Sequence, residues 1–163
     1  MITINRAKTE QDYKATAKLA DIIWREHYIP IIGKAQVDYM LEKFQSVEAI
    51  REQSNQGYEY YVIHFDDAPV GYISIKNEGD TLFLSKIYVL GTYRGKKIGK
   101  TALQFVEERA QALRLNSITL TVNKNNSNSI LAYGKLGFDN LGPIIMDIGN
   151  GFIMDDYKMV KML

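Results

Sequence analysis

The stretch Tyr93-Arg94-Gly95-Lys96-Lys97-Ile98-Gly99-Lys100 lies between an apolar run, Thr81 to Leu90, and a run of helical periodicity, Thr101 to Leu113. The order is therefore strand, glycine-rich turn, helix. Such a junction points unpaired backbone N–H groups and the positive end of a helix dipole at one place, which suits a phosphate or pyrophosphate. Three lysines and an arginine deepen the positive potential there. A nucleoside triphosphate loop is one residue short: three residues separate Gly95 from Gly99-Lys100-Thr101 where that motif needs four. The dinucleotide pattern G-x-G-x-x-G does not fit either.

Downstream, a strand-like run Ile118-Thr119-Leu120-Thr121-Val122 ends in Asn123-Lys124-Asn125-Asn126, and a short helix carrying Tyr133 follows. The block Ile87 to Phe138 resembles the core of the GNAT superfamily of acyl-CoA-dependent N-acetyltransferases, with some similarity to small bacterial polyamine and amine N-acetyltransferases. The superfamily's loop pattern falls on Arg94, Lys97 and Gly99. Its second block, V-N-x-x-N-x-x-A followed by a Tyr and K-x-G-F, falls on Val122, Asn123, Asn126, Ser129, Tyr133, Lys135, Gly137 and Phe138. Lys97 replaces the first loop glycine and Ser129 replaces the alanine. A lysine is expected to hold that turn with negative φ while still presenting its N–H.

The 163 residues, 46% hydrophobic, suit a single domain spanning 1–163 with one core. Twenty basic residues against 19 acidic ones give a net charge of +1, which argues against bulk nucleic-acid binding. Cysteine is absent, which removes disulfides, thiolate metal sites and a Cys nucleophile. No metal site is expected. The N-terminus lacks signal-peptide order and no apolar run nears spanning length, so a cytoplasmic protein without a membrane partner is expected. A homodimer is left open.

Along the chain, Ile2 to Ala7 reads as a strand. Thr9 caps a helix bearing Ala17, Leu19, Ala20, Ile23 and Trp24, which Pro30 and Gly33 interrupt; further helices run over Lys34 to Phe44 and Val47 to Gln53, the latter capped by Ser46. Tyr58 to Phe65, Val70 to Lys76 and Thr81 to Leu90 read as strands joined by turns at Asp66-Asp67-Ala68-Pro69 and Asn77-Glu78-Gly79-Asp80. Leu103, Val106, Ala110 and Leu113 form one helical stripe, and Ile144 to Ile148 and Phe152 to Leu163 are the last strands. The reading is α+β, the GNAT fold, with a central mixed, mostly antiparallel sheet flanked by helices.

The resemblance implies acetyl-CoA as cosubstrate, a small-molecule or peptide primary amine as acceptor, and direct transfer between them. It assigns the pyrophosphate to Arg94, Gly95, Lys96, Lys97, Ile98, Gly99 and Lys100. The acyl-pantetheine arm falls to the backbone of Ile87, Tyr88 and Val89, splayed by a bulge; the apolar phase shifts across Ser85-Lys86 as one extra residue would produce. It gives Asn126 the pantetheine amide and Tyr133 the role of general acid to the CoA thiolate. Helix capping is the plain alternative for Asn126, and aromatic packing for Tyr133. Ser85 stands where many relatives carry a glutamate base. A water relay, Glu26, His27 or Asp156 could replace it. The acceptor pocket is expected to include Trp24, Glu26, His27, Tyr28 and Asp155 or Asp156. His64, between Ile63 and Phe65, reads as structural. A catalytically weak acyl-CoA sensor or interaction module is the rival reading. A nucleotide hydrolase lacks its loop residue and acidic strand ligand, and a serine hydrolase lacks its elbow.

Overall fold

The computed structural model describes all residues, Met1–Leu163. Its elements run β1 (Ile2–Arg6), α1 (Glu10–Ile32), α2 (Lys34–Phe44), α3 (Val47–Asn55), β2 (Tyr58–Phe65), β3 (Ala68–Asn77), β4 (Leu82–Val89), a 3-10 turn (Gly91–Tyr93), α4 (Ile98–Ala112), β5 (Ser117–Asn123), α5 (Ser127–Lys135), β6 (Asp139–Gly149) and β7 (Phe152–Met162). The strands form one mixed sheet in the order β1-β2-β3-β4-β5-β7-β6. Within the chain two compact units separate, Met1–Lys76 with Ser85–Val106, and Asn77–Leu84 with Glu107–Leu163.

In the first unit, α1 starts at a complete capping box: the Thr9 hydroxyl accepts from the Asp12 N–H at 3.1 Å, and the Asp12 carboxylate accepts from the Thr9 N–H at 3.2 Å. The helix runs through Pro30 and stops only at Gly33, whose φ of 86° ends it. The expected break at Pro30 is thus a missing rung. Proline has no N–H to offer the carbonyl four residues earlier, that of Glu26, and the turn survives on packing of Ile23, Trp24 and Tyr28. Ser46 caps α3 through the Ala49 N–H at 3.2 Å. β1 and β2 pair antiparallel, as do β2 and β3, joined by a two-residue turn in which Asp66 and Asp67 both have positive φ. Ala68 and Pro69 already belong to β3, and Pro69 is accommodated where the register with β2 shifts beside Ile63 and His64.

Gly71 on β3 is glycine for a steric reason. A Cβ there would lie 2.3 Å from the Tyr88 carbonyl oxygen and 3.2 Å from the Val89 Cα. The close approach lets β4 sit where it does along Tyr88-Val89.

Along β4 the buried positions are Leu82, Leu84 and Lys86, an unbroken alternation. The shift in apolar phase across Ser85-Lys86 therefore marks a lysine at an inward position.

In the second unit, β4 pairs with β5 in parallel through Leu82–Ile118 and Phe83–Thr119, β5 with β7 antiparallel, and β7 with β6 antiparallel. Leu82, Ile118, Leu120 and Met159 are its buried centre. β6 begins at Asp139, five residues ahead of the expected Ile144, because pairing to β7 extends from Gly149–Phe152 back to Asp139–Val160. No helix is long and apolar enough to cross a membrane.

Candidate active site

In the first unit, the chain leaves β4 through the 3-10 turn, where the Arg94 N–H bonds the Gly91 carbonyl at 3.2 Å. Gly95 has φ 82° and Lys97 φ 62°, so two left-handed residues fold the loop back before α4 begins at Ile98. The expected negative φ at Lys97 is not adopted. A lysine at this angle costs on the order of 1 kcal/mol relative to glycine, and the loop accepts it because Ile98, only 2% exposed, anchors the start of the helix. The Lys97 carbonyl receives both the Thr101 N–H at 3.1 Å and its hydroxyl at 3.0 Å, which makes Lys97 the residue that opens α4. The N–H groups of Ile98, Gly99 and Lys100 consequently have no carbonyl one turn back within the helix. No acidic side chain lies in that first turn, and a Cβ on Gly99 would meet nothing within 4 Å. Arg94, Gly95, Lys96, Lys97, Gly99 and Lys100 are exposed, and Lys96 reaches over the Phe65 ring, 5.5 Å from its centroid.

The same unit holds Trp24, Glu26, His27 and Tyr28 of the residues expected around the acceptor, while Asp155 and Asp156 belong to the second unit. Trp24 and Tyr28, one helical turn apart on α1, have ring centroids 4.4 Å apart. Tyr88 of β4 stands 5.7 Å from Trp24 and 6.2 Å from Tyr28, Tyr72 stands 5.5 Å from Tyr88, and His27 meets Tyr28 edge-on at 4.8 Å. Trp24 and Tyr28 are buried while His27 is half-buried. Glu26 is exposed and extends its carboxylate toward Gly91, where a Cβ would come within 2.7 Å of Oε1. Ile87 and Val89, like Tyr88, are half-buried.

Sequence reasoning passed over Lys86. The residue is 7% exposed, and its ammonium donates to the Phe44 carbonyl at 2.9 Å, to Gln53 Oε1 at 2.9 Å and to the Tyr60 hydroxyl. All three partners are neutral, and burial lowers its pKa to about 7. The signal was available as a charged residue in phase with Leu82 and Leu84. The buried pair Tyr72–Gln45, with the Tyr72 hydroxyl donating to Gln45 Oε1 at 3.0 Å, was also missed, since neither residue belongs to a pattern.

In the second unit, Asn126 precedes α5 and is 5% exposed, but its side chain makes no capping bond. That removes the capping explanation for its identity. Tyr133 is half-buried on α5, its ring 5.5 Å from Phe138. The K-x-G-F segment acquires a local reason: the Phe138 N–H returns to the Tyr133 carbonyl at 3.0 Å, Gly137 at φ 99° turns the chain, and buried Phe138 buttresses the tyrosine ring. Asp155 and Asp156 on β7 divide as alternation requires. Asp155 pairs with Lys124 at 2.8 Å, whereas Asp156 is 4% exposed and burial raises its pKa to about 6. His64 is half-buried on β2 with its Nδ1 unbonded. Ser85 on β4 is half-buried. No cluster of His, Cys, Asp or Glu could hold a metal ion.

A seven-stranded mixed sheet flanked by five helices is the fold of solved acetyltransferase structures. The model for the "Acetyltransferase (GNAT) family" matches residues 16–138, and the chain belongs to that family. It is an acetyltransferase, and acetyl-CoA is the acetyl donor that such enzymes use. Among characterised relatives, the spermidine N(1)-acetyltransferase of Thermoplasma acidophilum is 26% identical over 133 residues, covering 78% of this chain and 83% of that protein. The IAA acetyltransferase of Azospirillum brasilense is 33% identical over 73 residues, 45% of this chain and 48% of that one. Among solved structures, the PaiA N-acetyltransferase of T. acidophilum in complex with coenzyme A superposes with a TM-score of 0.81 at 24% identity, over 100% of this chain and 99% of that chain. The ribosomal-protein-S18-alanine N-acetyltransferase of Escherichia coli gives 0.75 at 16% identity, over 99% and 94%. These likenesses establish the fold.

Proposed function

We propose that this acetyltransferase moves the acetyl group of acetyl-CoA directly to a primary amine of a small molecule or peptide, with Tyr133 protonating the departing CoA thiolate. The observation that carries the CoA side is the start of α4. Left-handed Gly95 and Lys97 lead into the N–H groups of Ile98, Gly99 and Lys100, which have no acceptor within the helix, in an exposed turn that carries Arg94 and Lys96. A pyrophosphate accepts from such a turn. The backbone of Ile87, Tyr88 and Val89 would take the acyl-pantetheine arm and Asn126 its amide.

The acceptor side rests on the aromatic group of Trp24, Tyr28 and Tyr88, with His27 beside it and the Glu26 carboxylate near Gly91. Aromatic faces and a carboxylate favour a cation. A related protein that acetylates spermidine supports a polyamine-like acceptor. Attack then requires a neutral nitrogen: its lone pair adds to the thioester carbonyl, a C–N bond forms, and the C–S bond breaks with its electron pair on sulfur. The tyrosine hydroxyl delivers a proton to that sulfur, and the amide nitrogen's lost proton restores the phenol.

The test is CoA-thiol release from acetyl-CoA with a panel holding spermidine, n-butylamine, a peptide N-terminus, a hydroxyl acceptor and an acidic acceptor. Acetylation of basic amines is the expected result. Binding of acetyl-CoA with no thiol release above background from any acceptor would make the chain a CoA-binding module, and turnover of only hydroxyl or acidic acceptors would overturn the amine assignment.

A further inference from the structure

Asp156 is the buried carboxylate for which the fold supplies no cation. On β7 it lies opposite Asn123, at the end of β5 from which the Asn126–Tyr133 segment departs. Cross-strand partners share a face, so Asp156 shares one with Asn123, Thr121 and Thr119 of β5, a polar strip whose Thr119 is 8% exposed. The Thr121 side chain hydrogen-bonds the carboxylate, which is a neutral partner. The charged groups around it do not compensate. Asp155 points to the opposite face and is held by Lys124, Lys158 shares the face but is exposed, and β6 sets Ile144 against it. Burying a carboxylate with only a hydroxyl for company is costly, and a chain gains from it only when something charged or protonated arrives.

Building on the amine-acetylation reading, we propose that Asp156 receives the acceptor's ammonium group and removes its proton. The ammonium R–NH3⁺ supplies the missing cation. One proton passes to a carboxylate oxygen of Asp156 and later to solvent, leaving R–NH2 with its lone pair for the thioester carbon. The remaining surplus proton leaves the nitrogen after the C–N bond forms and offsets the one taken up by the thiolate, so that R–NH3⁺ and acetyl-CoA give R–NH–acetyl, CoA-SH and H⁺. Desolvation suits the task, because a carboxyl whose affinity for protons has been raised is a better base than a surface aspartate.

The experiment compares wild type with Asp156→Asn, which keeps shape and hydrogen bonding, using spermidine and n-butylamine as acceptors. Calorimetric affinity for acetyl-CoA serves as the control for an intact fold and should not change. At neutral pH, kcat/KM should fall by roughly 10²–10⁴-fold. The shape of the pH profile separates proton removal from packing. Wild type should level off once Asp156 is ionised, while the variant, dependent on amine that has already lost its proton, should climb about tenfold per pH unit toward pH 9 and narrow the gap. A variant profile parallel to wild type, or an unchanged rate, overturns the role of Asp156 and leaves the amine reading standing. Wild type that acetylates no amine overturns that reading, and this inference with it.

Discussion

Replacing Lys86 by methionine tests the most unusual charge in the first unit. Lys86 places its ammonium among three neutral oxygens, those of Phe44, Gln53 and Tyr60, and no carboxylate shares the site. Burial lowers its pKa from 10.5 to about 7. The sign follows from proton counting. Below about pH 7 both folded and unfolded chains hold the proton and the contribution is flat; between there and the unfolded value only the unfolded chain holds it, so stability rises with pH. The full difference is on the order of 5 kcal/mol, at about 1.4 kcal/mol per pH unit. Methionine matches the stem in length and orphans no partner. The Phe44 carbonyl keeps the Gln53 Nε2 donor at 3.1 Å, and Gln53 Oε1 keeps the Tyr60 hydroxyl. Urea unfolding of both proteins at about pH 6.5, 8 and 9.5 should therefore show Lys86→Met as the more stable protein at the lowest pH, its advantage shrinking by about 2–4 kcal/mol by the highest. Subtracting the two curves cancels every other titrating group. A difference that stays constant across the three pH values refutes the reasoning, because it means that the lysine keeps its proton inside the fold.

Gly99→Val should weaken acetyl-CoA binding by more than about tenfold, or about 1.4 kcal/mol, with Lys97→Ala costing less; a Cβ at position 99 meets nothing in the fold, so equal calorimetric affinities would remove the loop from the CoA site. Tyr133→Phe retains the contact with Phe138 and deletes only the hydroxyl, so turnover should drop by about 10²–10⁴ with acetyl-CoA affinity little changed, and a wild-type rate would reduce the residue to packing. Asp156→Asn should also stabilise the protein: the raised folded pKa contributes stability below the unfolded value near 3.8 that is lost as pH rises through about 6, so the variant should gain on the order of 3 kcal/mol at pH 8 and nothing at pH 3, and equal urea midpoints at pH 8 would contradict the burial of its charge.

What the sequence made legible was local or periodic. Thr9 and Ser46 announced their helices because capping acts across three residues, and Leu103, Val106 and Ala110 marked the buried stripe of α4 because helical spacing is fixed. The glycine turn was legible by composition, but the left-handed angle at Lys97 was not, since a lysine takes it only when the flanking chain forces it. Pro30 misled for the reverse reason: the cost of one missing rung is local, and the burial of Ile23, Trp24 and Tyr28 that outweighs it comes from tertiary packing. Gly71 carried no signal at all, because the Tyr88 carbonyl that excludes its side chain belongs to another strand.

Lys86 and Asp156 show how the missed part could have been read. Each is an ionisable residue at an inward position of a strand, and each carries a pKa displaced by desolvation toward its neutral form. They diverge in what surrounds them. Lys86 has three acceptors that use its three protons, two from side chains and one from the C-terminal carbonyl of α2, so its surroundings are complete and its role is to tie α2, α3 and β2 to β4. Asp156 has two carboxylate oxygens, a single hydroxyl to serve them, and no cation. A buried charge with satisfied partners belongs to the architecture, whereas one left short of partners, beside the segment leading to Tyr133, is where an incoming ammonium has the most to offer.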